Sequence, residues 1–306
     1  MKKILSFTAM IVLMVSLLSA CSGEGDTSTS TSDKKVIVGA KNYTEQFVLS
    51  KILAIYLKEN GYEVEEKNNM ASQVVRQAIE NEQVDLYWEY TGTSLVNYNK
   101  LDPLSDSVAA YEKVKEVDKE KGIMWLNPSS LNNTYTLMMR EEKATELGIK
   151  SISDLAAYLN NGNELSLGAD AEFATRPDGI KGVEKAYGFE FGSSNIKKMD
   201  VGLFYQALRD GQVDVSTGFS TDSRIKAFQL INLEDDKSFF PAYNAGITVH
   251  EKTLEKYPEL EELLKPLAEK INTETMTDLN YQVDIDEKSE TEVARTWLTE
   301  NGLIKE

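Results

Sequence analysis

One pattern occurs twice in this chain and constrains its architecture more than any other feature. Residues 78–93 read AIENEQVDLYWEYTGT, and residues 207–222 read ALRDGQVDVSTGFSTD. Each copy is typical of a helix end, a polar turn and a short strand that finishes in an aromatic residue followed by hydroxyl side chains. Because ligands of open α/β sheets bind just beyond the carboxyl ends of strands, the repeat predicts two similar lobes with Tyr90 and Phe219 facing a shared cleft. A chance match of a common helix-turn-strand pattern is the alternative.

The first residues are typical of an export signal. Lys2 and Lys3 precede the apolar run 4–18, which leads into Leu-Ser-Ala-Cys ending at Cys21. A charged start, an apolar core and small residues before a cleavage site describe a secretory signal rather than a membrane-spanning helix. We therefore expect residues 1–20 to be a signal peptide and Cys21 to be acylated, as in the bacterial lipoprotein signal that this segment resembles. Since Cys21 is the only cysteine, no intramolecular disulfide is possible.

A polar segment and then a long α/β body follow this signal. Residues 21–35 are rich in Ser, Thr and Gly and predict a flexible tether. Alternating strand and helix patterns over the remaining residues predict an α/β protein of two lobes with largely parallel sheets. Two chain crossings, near 135–141 and 243–249, would join the lobes as a hinge. The predicted boundaries are 36–137 with 246–306 for lobe 1, and 138–245 for lobe 2.

Local patterns predict where several helices and strands begin. Thr44 and Ser72 are expected to be the N-caps of two helices, because a hydroxyl there precedes an apolar run of helical spacing. In the strand that ends at Tyr90, Trp88 is expected to be a core residue. His250 follows a predicted strand and is expected to be an ordinary surface residue.

Composition gives little sign of catalysis or of a metal centre. The net charge of −17 disfavours nucleic acid and broad contact with anionic lipid as partners. The chain has one histidine, one cysteine and no phosphate-binding glycine loop, so neither a metal nor another cofactor is expected. A hydrolase that uses two of the many carboxylates is not excluded by this composition.

Six short segments stand out in the body of the chain. They are 38–46 (VGAKNYTEQ), 88–93 (WEYTGT), 133–135 (NTY), 176–179 (RPDG), 219–225 (FSTDSRI) and 239–243 (FFPAY). Together and in this order they resemble the substrate-binding lipoproteins of osmoprotectant ABC importers, which bind glycine betaine, carnitine, choline and related compatible solutes. The resemblance implies a type II periplasmic-binding-protein fold, in which two lobes close on the ligand about a hinge.

The chemistry of such a ligand accounts for an aromatic set. A trimethylammonium group has no N–H to donate, but aromatic faces attract a dispersed cation. By resemblance, the cage consists of Tyr90 from lobe 1, Tyr135 and Tyr243 near the crossings, and Phe219 from lobe 2. The family often has tyrosine where this chain has Phe219, so one hydroxyl is missing. Tyr43 is expected either at the mouth of the cleft or in packing.

A zwitterionic solute also presents a carboxylate. The resemblance implies that Lys41 and Arg176 bind it from opposite lobes, and that Thr93 adds a hydroxyl. Charge-assisted hydrogen bonds of this kind are strong ones. In some family members an acidic residue replaces the threonine and restricts the site to choline, so Thr93 suggests a broader range that includes betaines.

The resulting prediction is an extracytoplasmic solute-binding protein that is not an enzyme. It would be anchored to the bacterial membrane through Cys21, act as a monomer and deliver a quaternary-ammonium solute to ABC permease subunits. A two-lobed binding protein for another solute, such as an amino acid or a quinate-like anion, is the main alternative. A structural or adhesive lipoprotein without a small-molecule site is a further one.

Overall fold

The computed structural model of the chain describes residues 34–305. The predicted signal peptide, Cys21 and all but the last two residues of the predicted tether lie outside this part of the chain. Within the described part, no helix combines the length and the apolar character that are needed to cross a membrane.

Ten strands within residues 34–305 form two five-stranded sheets. Sheet I has the order β2-β1-β3-β10-β4, with β1 at Lys35–Lys41, β2 at Glu63–Met70, β3 at Leu86–Tyr90, β4 at Ile123–Asn132 and β10 at Asn244–His250. Sheet II has the order β7-β6-β8-β5-β9, with β5 at Tyr135–Arg140, β6 at Leu167–Ala169, β7 at Ile196–Lys198, β8 at Val215–Phe219 and β9 at Leu230–Asn232. Each sheet forms the centre of one lobe.

The prediction of largely parallel sheets is wrong, because each sheet contains antiparallel pairs. Strand β10 runs antiparallel to β3 and β4, and β5 runs antiparallel to β8 and β9. The pairing of Tyr90 with Ala245, and of Phe219 with Tyr135, shows the cause. Strands β10 and β5 arrive from the other lobe. Each therefore begins next to the carboxyl ends of the parallel strands in its sheet. They therefore run in the opposite direction.

The chain passes between the sheets at two places. Residues 133–134 connect β4 to β5, and residues 233–243 connect β9 to β10. Both connections reach the side on which β3 and β8 end. This arrangement places the crossings beside the cleft. They come slightly earlier in the chain than predicted, because residues near 135–141 and 243–249 form strands β5 and β10 themselves.

Helices pack against the strands of both sheets. Their bounds are α1 Thr44–Glu59, α2 Ser72–Glu80, α3 Ser107–Lys119, α4 Glu141–Leu147, α5 Ile152–Asn160, α6 Ile180–Tyr187, α7 Leu203–Arg209, α8 Arg224–Ala227, α9 Glu251–Lys256, α10 Leu260–Lys270, α11 Thr273–Asp284 and α12 Glu290–Glu300, with a π-helical turn at Thr93–Tyr98 and a 3₁₀ turn at Ser193–Asn195. Helix α1 packs on β1 and β2 and is covered by α11 and α12. Helices α2 and α7 precede β3 and β8, as the repeat predicts.

The N-caps of α1 and α2 lie one residue before the predicted positions, Thr44 and Ser72. Tyr43 and Ala71 occupy the cap positions of α1 and α2, and neither makes a side-chain capping bond. The hydroxyl of Thr44 instead donates to Asp284 Oδ1 of α11 at 2.8 Å. The Thr44 hydroxyl, which the local pattern predicts to cap α1, therefore bonds a residue that is distant in the sequence.

His250 is buried, so its prediction as a surface residue is wrong. Only 6% of its surface is exposed, and its Nδ1 accepts a hydrogen bond from the Lys252 amide at 3.3 Å. The imidazole caps α9 directly after β10, which is the end of that strand remote from Tyr90. Trp88 is buried at 1% exposure, which agrees with its prediction as a core residue.

Candidate functional site

The carboxyl ends of β3 and β8 meet at a small cavity between the two sheets. Tyr90 is the last residue of β3 and Phe219 the last residue of β8, whereas Tyr135 begins β5 and Tyr243 directly precedes β10. All four aromatic residues line the cavity, which has a volume of about 30 Å³. The structure thus brings the four predicted cage residues together from both lobes and both crossings. Their role in binding a ligand stays a prediction.

Tyr135 lies at the centre of this aromatic cluster. Its ring centroid is 5.0 Å from that of Phe219 and 5.5 Å from that of Tyr243, the latter at an interplanar angle of 75°. Tyr43 extends the cluster by stacking on Phe219 at 5.2 Å, and it also lines the cavity. Phe173, whose ring lies 4.9 Å from Tyr135, was not predicted from the sequence. Tilted and offset rings at these separations are the favoured aromatic arrangements.

The Tyr90 ring is held in place through its hydroxyl. It donates to Glu45 Oε1 at 2.6 Å and accepts from Gln46 Nε2 at 3.1 Å. Burial, followed by the nearby charge of Glu45, raises the pKa of Tyr90 well above its usual value. The phenol therefore stays neutral at physiological pH, and the ring presents its face without a competing negative charge.

Glu45 connects the two lobes beside the cage. Besides Tyr90, its carboxylate accepts from Asn133 Nδ2 at 2.8 Å and from Thr221 Oγ1 at 2.7 Å. Thr221 follows β8 of sheet II, whereas Glu45 belongs to α1 on sheet I. Burial raises the pKa of Glu45, and the hydrogen bonds from these partners oppose that shift. Opening of the cleft would break the bond between Glu45 and Thr221.

Lys41 lines the cavity but is already paired. Its side chain is 2% exposed, and Nζ lies 2.5 Å from Glu89 Oε1. Glu89 also accepts from the hydroxyls of Tyr87 and Tyr98, at 2.8 and 2.9 Å. The ammonium lies 5.0 Å from the centroid of the Tyr90 ring. Lys41 is therefore one wall of the site, and its contact with a ligand carboxylate stays a prediction.

Arg176 and Thr93 meet across the cleft. The Arg176 Nη1 donates to Thr93 Oγ1 at 3.4 Å, and the side chains of both residues are buried. The guanidinium makes a bidentate pair with Asp178, in which both N–O distances are 2.8 Å, and donates to the Tyr243 hydroxyl at 2.8 Å. Its central carbon lies 5.1 Å from the Tyr135 ring centroid. The structure thus places a cation and a hydroxyl from opposite lobes next to the aromatic cluster.

Acidic groups near the cavity do not form a metal centre. Among the described residues, no group of three or more His, Cys, Asp or Glu side chains is arranged to hold a metal ion. Asp170 and Glu172 line the cavity and were not predicted. The sequence signal that could have found Asp170 is its position directly after β6, since the carboxyl ends of strands face the cleft.

Comparison with known proteins identifies the family. The model for the substrate binding domain of the ABC-type glycine betaine transport system matches residues 34–300. The chain belongs to this family.

Individual relatives cover nearly the whole chain. A glycine-betaine-binding protein of Pseudomonas aeruginosa is 39% identical over 95% of this chain and 96% of its own length. The carnitine transport binding protein OpuCC of Listeria monocytogenes is 36% identical over 99% of this chain and 98% of that protein. A crystal structure of a glycine betaine/carnitine/choline ABC transporter aligns with a TM-score of 0.70 at 30% identity, covering 89% of this chain and 99% of that chain.

Membership of the family confirms two predictions from the sequence. The chain is a substrate-binding protein of an osmoprotectant ABC transport system, and it has the two-lobed α/β fold of these binding proteins. Substrate-binding proteins of ABC importers work outside the cytoplasm, which agrees with the predicted export.

Proposed function

We propose that this protein captures quaternary-ammonium compatible solutes, namely glycine betaine, carnitine and choline, and delivers them to the permease subunits of an ABC importer. The observation that carries the proposal is that Tyr90, Tyr135, Phe219 and Tyr243 all line one cavity. Each ring contributes on the order of 0.5–2 kcal/mol to binding of a cation over its face. Several rings around one point therefore supply useful affinity for a group that cannot donate hydrogen bonds.

The carboxylate of betaine or carnitine would bind beside the cage. Arg176 and Thr93 are adjacent across the cleft, and Lys41 lines the same cavity as Thr93. A ligand that bonds both Arg176 and Thr93 stabilises the closed arrangement more than the open one, which is what closure requires. The cavity of about 30 Å³ has space for roughly two or three water molecules. The lobes must therefore separate for a solute to enter.

Further proposals concern the membrane anchor, the oligomeric state and the lobes of the protein. It would be anchored to the membrane by a lipid on Cys21, which lies outside the described residues, and would act as a monomer. The lobes would follow the predicted division, 36–137 with 246–306 and 138–245, shifted by a few residues so that β5 lies wholly in the second lobe and β10 wholly in the first. The protein would return its solute unchanged, so it would not be an enzyme. Support for a binding role comes from the family match and from the cavity.

Removing one cage ring tests the proposal. Tyr90→Ala should weaken binding of all three solutes by about 1 kcal/mol or more, since one cation-attracting face is lost. Tyr90→Phe keeps the ring and should weaken binding less. Isothermal titration calorimetry on the wild type and both variants measures this difference.

A matched control removes a tyrosine elsewhere. Tyr281 is 41% exposed on α11, so Tyr281→Ala should leave solute affinity unchanged. An unchanged affinity of Tyr90→Ala would remove Tyr90 from the cage. A wild type that binds none of the three solutes, or that prefers a primary-amine amino acid, would contradict the proposed function.

Gly92 provides a second test through the packing of Tyr243. A Cβ at residue 92 would lie 2.7 Å from two carbons of the Tyr243 ring, while the backbone φ of −61° suits alanine. Gly92→Ala is therefore expected to displace the ring, at a cost of about 1–3 kcal/mol divided between stability and binding. Urea unfolding and calorimetry measure the two shares. Wild-type values in both would show that the Tyr243 ring does not need this space.

A further inference from the structure

Asp170 is a buried acidic residue at the edge of the cavity. It directly follows β6, the neighbour of β8 in sheet II, so it stands at the carboxyl end of a strand beside the one that carries Phe219. Asp170 lines the same cavity as the four rings and is only 5% exposed. None of the roles described above uses it.

The two oxygens of this carboxyl group differ in their surroundings. Oδ1 accepts hydrogen bonds from the amides of Glu172 and Phe173, at 2.8 and 3.0 Å, and so fixes the loop after β6. Oδ2 is buried and has no hydrogen-bond partner among the described residues. The fold therefore uses one oxygen of Asp170 and leaves the other without a partner among the described residues, in a side chain that lines the cavity.

A buried acceptor without a partner is costly, so the nature of a partner can be inferred. A trimethylammonium group offers no O–H or N–H, and a carboxylate would be repelled by a charged Asp170. A hydroxyl group can donate to Oδ2. Burial raises the pKa of Asp170, against the bonds from the loop amides, which reflects the cost of charge at this position.

Resting on the proposed function, we propose that Asp170 Oδ2 accepts a hydrogen bond from the hydroxyl of the bound solute. The residue then determines specificity: choline and carnitine carry this hydroxyl, whereas glycine betaine has no donor. A site that is built to bond a hydroxyl discriminates against an analogue without one, because the buried polar group is then left unpaired.

Asp170→Asn is the variant that isolates this role. The amide keeps an oxygen for the Glu172 and Phe173 amides and replaces the Oδ2 acceptor by an NH₂ group. The solute hydroxyl can then only accept a neutral hydrogen bond at this position, and it loses the charge-assisted bond that it donates to the carboxylate. Choline and carnitine should bind about tenfold or more weakly to the variant, whereas glycine betaine should change by less than about threefold. Calorimetry with the three solutes measures these ratios.

Two probes separate the hydrogen bond from the charge of Asp170. Tetramethylammonium and the methyl ether of choline carry the cation but no O–H. Their affinities should change little in Asp170→Asn, and losses as large as that of choline would overturn the proposal in favour of a purely electrostatic role. Asp210→Asn is the matched control, because it removes one exposed charge from the same lobe and should change no affinity.

The test distinguishes this inference from the proposed function. If the wild type binds no quaternary ammonium ion, the proposed function fails and this inference fails with it. If the wild type binds all three solutes and Asp170→Asn weakens them equally, only the inference fails. Thermal unfolding checks that the variant folds. If it does not, Asp170→Ser, whose hydroxyl can accept from a loop amide, is predicted to give the same selective loss.

Discussion

Arg176→Met is expected to lower the free energy of unfolding by about 3–5 kcal/mol, because it leaves the buried Asp178 carboxylate without its cation and with the Tyr243 hydroxyl as its donor. Asp178 is 3% exposed and makes both of its arginine bonds at 2.8 Å. The same variant should weaken glycine betaine at least about tenfold, since a charge-assisted bond to the solute carboxylate is lost. Choline, which has no carboxylate, should lose less. Urea unfolding without ligand and calorimetry with both solutes measure the two effects.

A second substitution separates stability from binding. Arg176→Met combined with Asp178→Asn removes the charge that the single variant leaves buried, so much of the stability should return while betaine binding stays weak. Arg209→Met is the control, because its pair with Asp210 is about half exposed and should contribute at most about 1 kcal/mol. If Arg176→Met lowers the free energy of unfolding no more than Arg209→Met does, the buried pair of Arg176 and Asp178 does not stabilise the fold as expected. Equal losses for betaine and choline would contradict contact with the carboxylate.

The sequence predicted the parts of this fold that depend on local pattern. The repeat placed α2-β3 and α7-β8 in corresponding positions, and the rule for strand ends then placed Tyr90 and Phe219 at one cleft. The antiparallel strands were missed because their direction depends on the lobe from which the chain returns. Helix and strand periodicity carries no information about that path.

The partners of the charged residues could not be predicted from the sequence. All five residues of β3 are buried, so the usual alternation of inward and outward side chains does not apply, and Glu89 lies under the π-helical turn rather than in solvent. The pairing of Arg176 with Asp178 is similarly a matter of loop conformation. A carboxylate in an acidic chain is usually solvated, so composition favours a surface position for Asp170. The loop after β6 sets this residue apart, because its amides satisfy Oδ1 and leave Oδ2 without a partner among the described residues.

Because Lys41 is paired with Glu89 in the absence of solute, its loss should first lower the stability of the fold. Lys41→Met is expected to cost about 3 kcal/mol, the lower end of the range for a broken buried ion pair, because Glu89 keeps other donors. These are the hydroxyls of Tyr87 and Tyr98 and the amide of Tyr90. Urea unfolding in the absence of solute measures the loss. Adding Glu89→Gln removes the orphaned charge and should restore part of the stability.

The same variant decides whether Lys41 also contacts the solute. If the ammonium exchanges part of its interaction with Glu89 for the ligand carboxylate, Lys41→Met weakens glycine betaine more than choline. If Lys41 only holds Glu89 and the Tyr90 ring in place, both solutes lose the same factor, since both present the same trimethylammonium to that ring. We expect the first result, because Lys41 and Thr93 both line the cavity. Equal losses would leave Arg176 and Thr93 as the carboxylate site and make Lys41 a positioning residue.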